Sequence, residues 1–139
     1  MCMDFKKEFR VYFGDTDAAG VVHHARYIYW LEAARIDMLD DLGCSYKSLQ
    51  DENIGLVPVD ISIQYKQSLK FDDRFYISLT PVRVKSASLC LKGDIYRNET
   101  LCVTSMAVNF SFFQRSYISS CKTSRVNSST ADNGSSIRR

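Results

Sequence analysis

Residues 14–30 read GDTDAAGVVHHARYIYW, and where this stretch stops being loop and becomes helix decides the fold. Upstream, Phe5, Phe9, Val11 and Phe13 alternate with Lys6, Glu8 and Arg10, the period of a strand over residues 5–13. Downstream the period changes. From about His23, Tyr27, Leu31, Ala34, Met38 and Leu42 recur at helical spacing, with Ile28 and Ala33 beside them and Arg26, Asp37 and Asp40 off the stripe. Gly43 follows the last apolar position and suits the left-handed residue that closes a helix. The pattern predicts one helix of about 20 residues, the only long one in the chain.

The remainder reads as strands. After a polar connection from Ser45 to Gly55, Val57, Val59, Ile61, Ile63 and Tyr65 alternate with Pro58, Asp60, Ser62, Gln64 and Lys66. A turn at Lys70-Phe71-Asp72-Asp73 leads to a strand over 75–84, Lys85-Ser86 to one over 87–96, and Arg97-Asn98-Glu99 to one over 101–113. Successive strands joined by tight turns predict an antiparallel meander, and one helix on one face of it predicts an α+β domain. That domain covers residues 1–114. Residues 115–139 turn to Ser, Thr, Asn, Gly and Arg, too little apolar surface to offset chain entropy, so this tail is expected to be disordered.

Composition narrows the function classes. A chain of 139 residues with 45% hydrophobic and 24% charged side chains fits one globular domain. No apolar run approaches the roughly 18 residues of a membrane span, and MCMDFKKEF has no apolar leader segment, so the expected location is the cytoplasm. The tail carries five basic residues against one acid, a net +4, which leaves residues 1–114 at −2 and without attraction for nucleic acid. Cys2, Cys44, Cys90, Cys102 and Cys121 form no C-x-x-C pair, which reads as reduced thiols rather than a disulfide framework.

The opening stretch holds ligand types for a metal in Asp15, Asp17, His23 and His24. Adjacent helical residues point about 100° apart, however, so His23 and His24 do not readily share an ion, and no metal is expected. No G-x-S-x-G elbow and no phosphate-binding glycine loop occurs. Turn formation accounts for Asp15, Thr16 and Gly20. It accounts less well for Asp17 beside a helix start, whose free amides attract an anion. A carboxylate next to such amides is what acyl transfer needs: the amides hold an oxyanion, and the carboxylate attacks or activates water.

The segment Phe13-Gly14-Asp15-Thr16-Asp17-Ala18-Ala19-Gly20-Val21-Val22, followed by His24, Tyr27, Trp30, Glu32, Ala33 and Arg35, resembles the signature of the hotdog-fold acyl-CoA thioesterases of the 4-hydroxybenzoyl-CoA type. The resemblance covers about residues 5–113. It implies a curved antiparallel sheet wrapped around one long central helix. It makes Asp17 the catalytic carboxylate, as nucleophile or as general base, and sets the backbone amide of His24 against the thioester carbonyl. Gly20, Val22 and Tyr27 then fall in the substrate-binding set. Arg83 and Lys85, at a strand end, either meet the phosphates of coenzyme A or form solvated surface. The His24 imidazole either contacts substrate or fills a subunit seam, and Glu32 and Arg35, three apart, simply pair. Active sites between two subunits imply a homodimer or homotetramer. The expected substrate is an aromatic or a short or medium aliphatic acyl-CoA, with acyl carrier protein as a further expected partner. Coenzyme A belongs to the substrate, so no cofactor is expected. The alternative is a non-catalytic acyl-CoA or acyl-carrier-protein binding module. Two departures stand out: Ser68 replaces a usual proline, and the chain after Phe113 lacks the family's proline-containing end.

Overall fold

The computed structural model describes residues 4–111; the predicted tail, Cys2, Cys121 and the strand end at Phe113 lie outside them. Five strands form one sheet: β1 (Phe5–Arg10), β2 (Leu56–Tyr65), β3 (Arg74–Val84), β4 (Ser88–Arg97) and β5 (Thr100–Ser111). Their order is β1-β3-β4-β5-β2, and every pairing is antiparallel. The meander β3-β4-β5 is therefore as the turns predicted. Left-handed Asp72 (φ 70°) and Asn98 (φ 55°) shape two of those turns, and the first is tied by the Lys70 amide to Asp73 Oδ2 at 2.8 Å.

Helix α1 (Arg26–Asp41, 16 residues) buries Tyr27, Trp30, Ala34, Met38 and Leu39 against the sheet, where Phe75, Ile77 and Leu79 of β3 and Leu91 and Ile95 of β4 face it. It closes as predicted. Gly43 at φ +79° lets Cys44 N donate to Leu39 O (2.8 Å) and Gly43 N to Asp40 O (3.0 Å). Gly93 on the inward side of β4 has a different reason. A methyl group there would lie 2.6 Å from the Leu31 side chain and 2.8 Å from Ser105 Oγ.

Four expectations are corrected. The helix begins at Arg26, not near His23, because the amides of Val22 and His23 are already taken by Leu69 O and Asp15 O at 2.9 Å each. Those pairings keep the chain extended until the turn at residues 24–25. Phe13 leaves the first strand and sits 78% exposed in a 3-10 turn (Phe13–Asp15). The polar connection contains a short helix, α2 (Tyr46–Asp51), capped by Ser45 Oγ and anchored by buried Leu49. Cys90 and Cys102 are free thiols, whereas Cys44 is disulfide-bonded, against the reading of reduced thiols throughout.

The two sheet edges differ. β1 sets Lys6, Lys7, Glu8 and Arg10 along its edge. β2 leaves Val57, Val59 and Ile61 at 40%, 53% and 41% exposure, and its register shifts between Pro58 and Asp60. The apolar alternation read in β2 is real and faces the helix side, where Ile61 lines a cavity, Ile63 is partly buried on the core and Tyr65 meets Tyr27, yet most of it stays exposed.

Candidate active site

The stretch 15–23 folds into a tight hairpin. Thr16 bridges Val22, Asp17 N donates to Val21 O (2.8 Å), and Gly20 N donates to Asp17 O (3.0 Å). Gly20 takes φ +76° at this turn, a conformation a side chain would strain. The hairpin is locked to the next loop by the bridge from Val21 to Lys70.

The two acids part company here. Asp15 is 6% exposed; its carboxylate accepts the Tyr12 amide at 2.8 Å and pairs with the Arg26 guanidinium at 2.7 Å. It holds the loop to the helix. Asp17 is exposed, and one carboxylate oxygen accepts the Ala19 amide at 2.8 Å. That bond orients the side chain and leaves the second oxygen open to a substrate or water.

His23 and His24 lie before the helix, exposed, with rings stacked 4.3 Å apart. Among the described residues no three His, Cys, Asp or Glu side chains converge as a metal site. The first turn of α1 carries no acidic residue, and its cap, Ala25, offers no side-chain acceptor. The positive end of the helix is thus uncompensated. No hydrogen bond among the described residues uses the His24 amide.

The other anticipated residues fall in different places. Val22 is buried in the core, beneath the hairpin. Tyr27 is 3% exposed, its hydroxyl accepts the Leu69 amide at 3.3 Å, and burial raises its pKa. Tyr27 therefore supports the site from below. Arg83 and Lys85 are exposed at the far end of β3 from the Lys70–Asp73 turn. At about 3.3 Å per residue that is roughly 30 Å from the hairpin of the same chain.

Two features were not foreseen. Tyr65, at the end of β2, donates its hydroxyl to His24 O at 3.1 Å. Arg35 pairs with Glu32 (3.9 Å) as read, but it is buried, donates to Asn109 Oδ1 at 2.6 Å, and has its pKa lowered by desolvation. Arg35, Glu32 and Ser105 are the polar side chains of a cavity of about 120 Å³ between α1 and the sheet, lined mostly by apolar groups including Ile28, Leu31, Ile61 and Leu91.

The chain is similar in sequence and in fold to known thioesterases. The acyl-CoA thioesterase YbgC of Haemophilus influenzae is 34% identical over 90 residues, 64% of this chain and 66% of its own length. YneP of Bacillus subtilis is 37% identical over 68 residues, so this chain spans about half (49%) of that relative. A solved gentisyl-coenzyme A thioesterase superposes with a TM-score of 0.75 at 29% identity, over 78% of this chain and 90% of the other. Residues 11–127 match the profile of the thioesterase-like superfamily, and with the hairpin carboxylate, the uncapped helix start and the five-stranded sheet in place, the chain belongs to that family.

Proposed function

We propose that the chain hydrolyses acyl-CoA thioesters, with Asp17 as the catalytic carboxylate and the His24 amide as oxyanion donor. One observation carries the reading: an exposed, turn-oriented acid sits on the hairpin, and the uncapped helix start that directly follows it offers an amide, that of His24, which no hydrogen bond among the described residues uses. In one course Asp17 attacks the thioester carbon, expels the coenzyme A thiolate and forms a mixed anhydride that water then hydrolyses. In the other Asp17 takes a proton from water, which attacks directly. Either way the carbonyl oxygen gains charge that the amide stabilises, an interaction of about 3–4 kcal/mol per donor in other enzymes. The products are a carboxylic acid and free thiol. Neither course needs a cofactor.

The cavity beside Ile28, about 120 Å³ and mostly apolar, is a little under the roughly 150 Å³ that holds a benzene ring. That supports a small acyl group, short aliphatic or with a single aromatic ring partly outside it. Coenzyme A or acyl carrier protein carries it. The exposed apolar edge of β2 supports a homodimer, alone or doubled into a tetramer, with the site at the subunit seam. In such an assembly Arg83 and Lys85 serve the partner's site or none. The proposed location is the cytoplasm.

The test is thiol release from a panel of acyl-CoA substrates by the wild type and Asp17→Asn. The substitution is expected to lower kcat at least about a hundredfold while leaving acyl-CoA binding intact. Binding without turnover in the wild type would establish the non-catalytic module instead.

A further inference from the structure

The amide assigned to the oxyanion has no capping side chain to fix it, yet such donors work only when their direction is set before the reaction. Around it, one peptide unit is held at both polar atoms. The carbonyl of His24 accepts the Tyr65 hydroxyl at 3.1 Å, and the adjoining Ala25 amide donates to His23 Nδ1 at 3.2 Å. Tyr65 is itself placed. Its ring meets the Tyr27 ring edge-on at 5.5 Å, and the two amides that follow it, Lys66 N and Gln67 N, both donate to Cys102 O. His23 is placed by its own amide on Asp15 O and its carbonyl on Arg26 N, both at 2.9 Å.

We infer that Tyr65 and His23 are positioning residues that clamp the peptide between His24 and Ala25 and thereby aim the His24 amide at the thioester carbonyl. With the oxygen of that peptide fixed by Tyr65 and its nitrogen by His23, rotation about the His24 backbone is arrested on the C-terminal side. On the other side the His23 amide on Asp15 arrests the chain. The His24 N–H between them points in one direction. Tyr65 is half exposed, so its hydroxyl adds little to global stability. The His23 ring must be neutral with its proton on Nε2 to accept at Nδ1.

The inference rests on the thioesterase reading, and its test separates the two. Tyr65→Phe keeps the ring and removes only the hydroxyl. It is expected to lower kcat about three- to tenfold, the worth of one neutral hydrogen bond, with KM within about twofold and Tm within about 2 °C. His23→Ala is expected to behave likewise. His23→Asn retains most of the rate, because an Asn oxygen reaches the amide two residues on, as Asp17 does to Ala19. The direct readout is the infrared carbonyl stretch of a ketone analogue of acyl-CoA, with CH2 in place of sulfur, bound to each full-length variant. The wild type should lower that frequency, and Tyr65→Phe and His23→Ala should return it toward the value in water. A wild type that shifts the carbonyl but releases no thiol refutes the enzyme and keeps the clamp. An unshifted carbonyl in the wild type, or Tyr65→Phe with carbonyl and kcat both unchanged, overturns the clamp. So does a drop in Tm that accounts for the whole loss of rate.

Discussion

Asp15→Asn isolates one negative charge in a place where almost everything else can stay the same. The Asn side chain is isosteric, and its Oδ1 can still accept the Tyr12 amide, so the loss falls on the 2.7 Å contact with Arg26. A hydrogen bond to a charged group contributes about 1.5–3 kcal/mol. The Asp15 side chain is 8% exposed but Arg26 is 39% exposed, so water recovers part of that and the lower end, about 1.5 kcal/mol, applies. At about 4 °C per kcal/mol for a domain of this size, Tm should fall by about 6 °C. The backbone link from His23 to Asp15 O is untouched, so kcat should change less than about fivefold. Asp17→Asn is the mirror case: its Oδ1 keeps the Ala19 amide, so Tm should hold within about 2 °C while turnover collapses. Calorimetry and thiol release on both variants provide the comparison. Turnover abolished by Asp15→Asn at unchanged Tm would refute the division of labour between the two acids.

Two other outcomes follow from packing and from the open edge. Gly93→Ala drives a methyl group into Leu31 and Ser105, which should cost about 1–3 kcal/mol by thermal melting and narrow the range of acyl groups hydrolysed. Val59→Lys on the exposed face of β2 should give a monomer mass by light scattering, with thiol release falling in parallel; an unchanged mass would remove β2 from the interface.

What could be read in the sequence was what neighbours in the chain decide. The Gly43 cap and the Lys70–Asp73 turn depend on residues within five positions of one another, and both were legible. The start of α1 was not, because Leu69 O, far along the chain, takes the Val22 amide and holds that segment extended. Burial of Arg35 needs Asn109, 74 residues away, and a helical pattern alone marks an arginine as surface. Tyr65 meets His24 across 41 positions, so the reading saw only a strand ending in an aromatic. The sequence assigned Asp15 to the turn, but its buried ion pair with Arg26, which lies eleven residues on, was not legible. The family resemblance selected Asp17 for chemical reasons of its own, and the exposure of that side chain is consistent with the choice.

The β2 edge has a consequence for the newly folded chain. It offers a row of amides and carbonyls beside exposed valines, a template on which unrelated strands could nucleate aggregates. Pro58 has no amide to offer, and the irregularity between it and Asp60 bends the backbone where an incoming strand would need it flat. Asp60 then sets a charge beside that bend, which a hydrophobic intruder could join only by burying it. These gatekeepers sit at the leading end of β2 and leave Ile61–Tyr65 open, so the edge resists long foreign strands while a short stretch of it stays available for pairing.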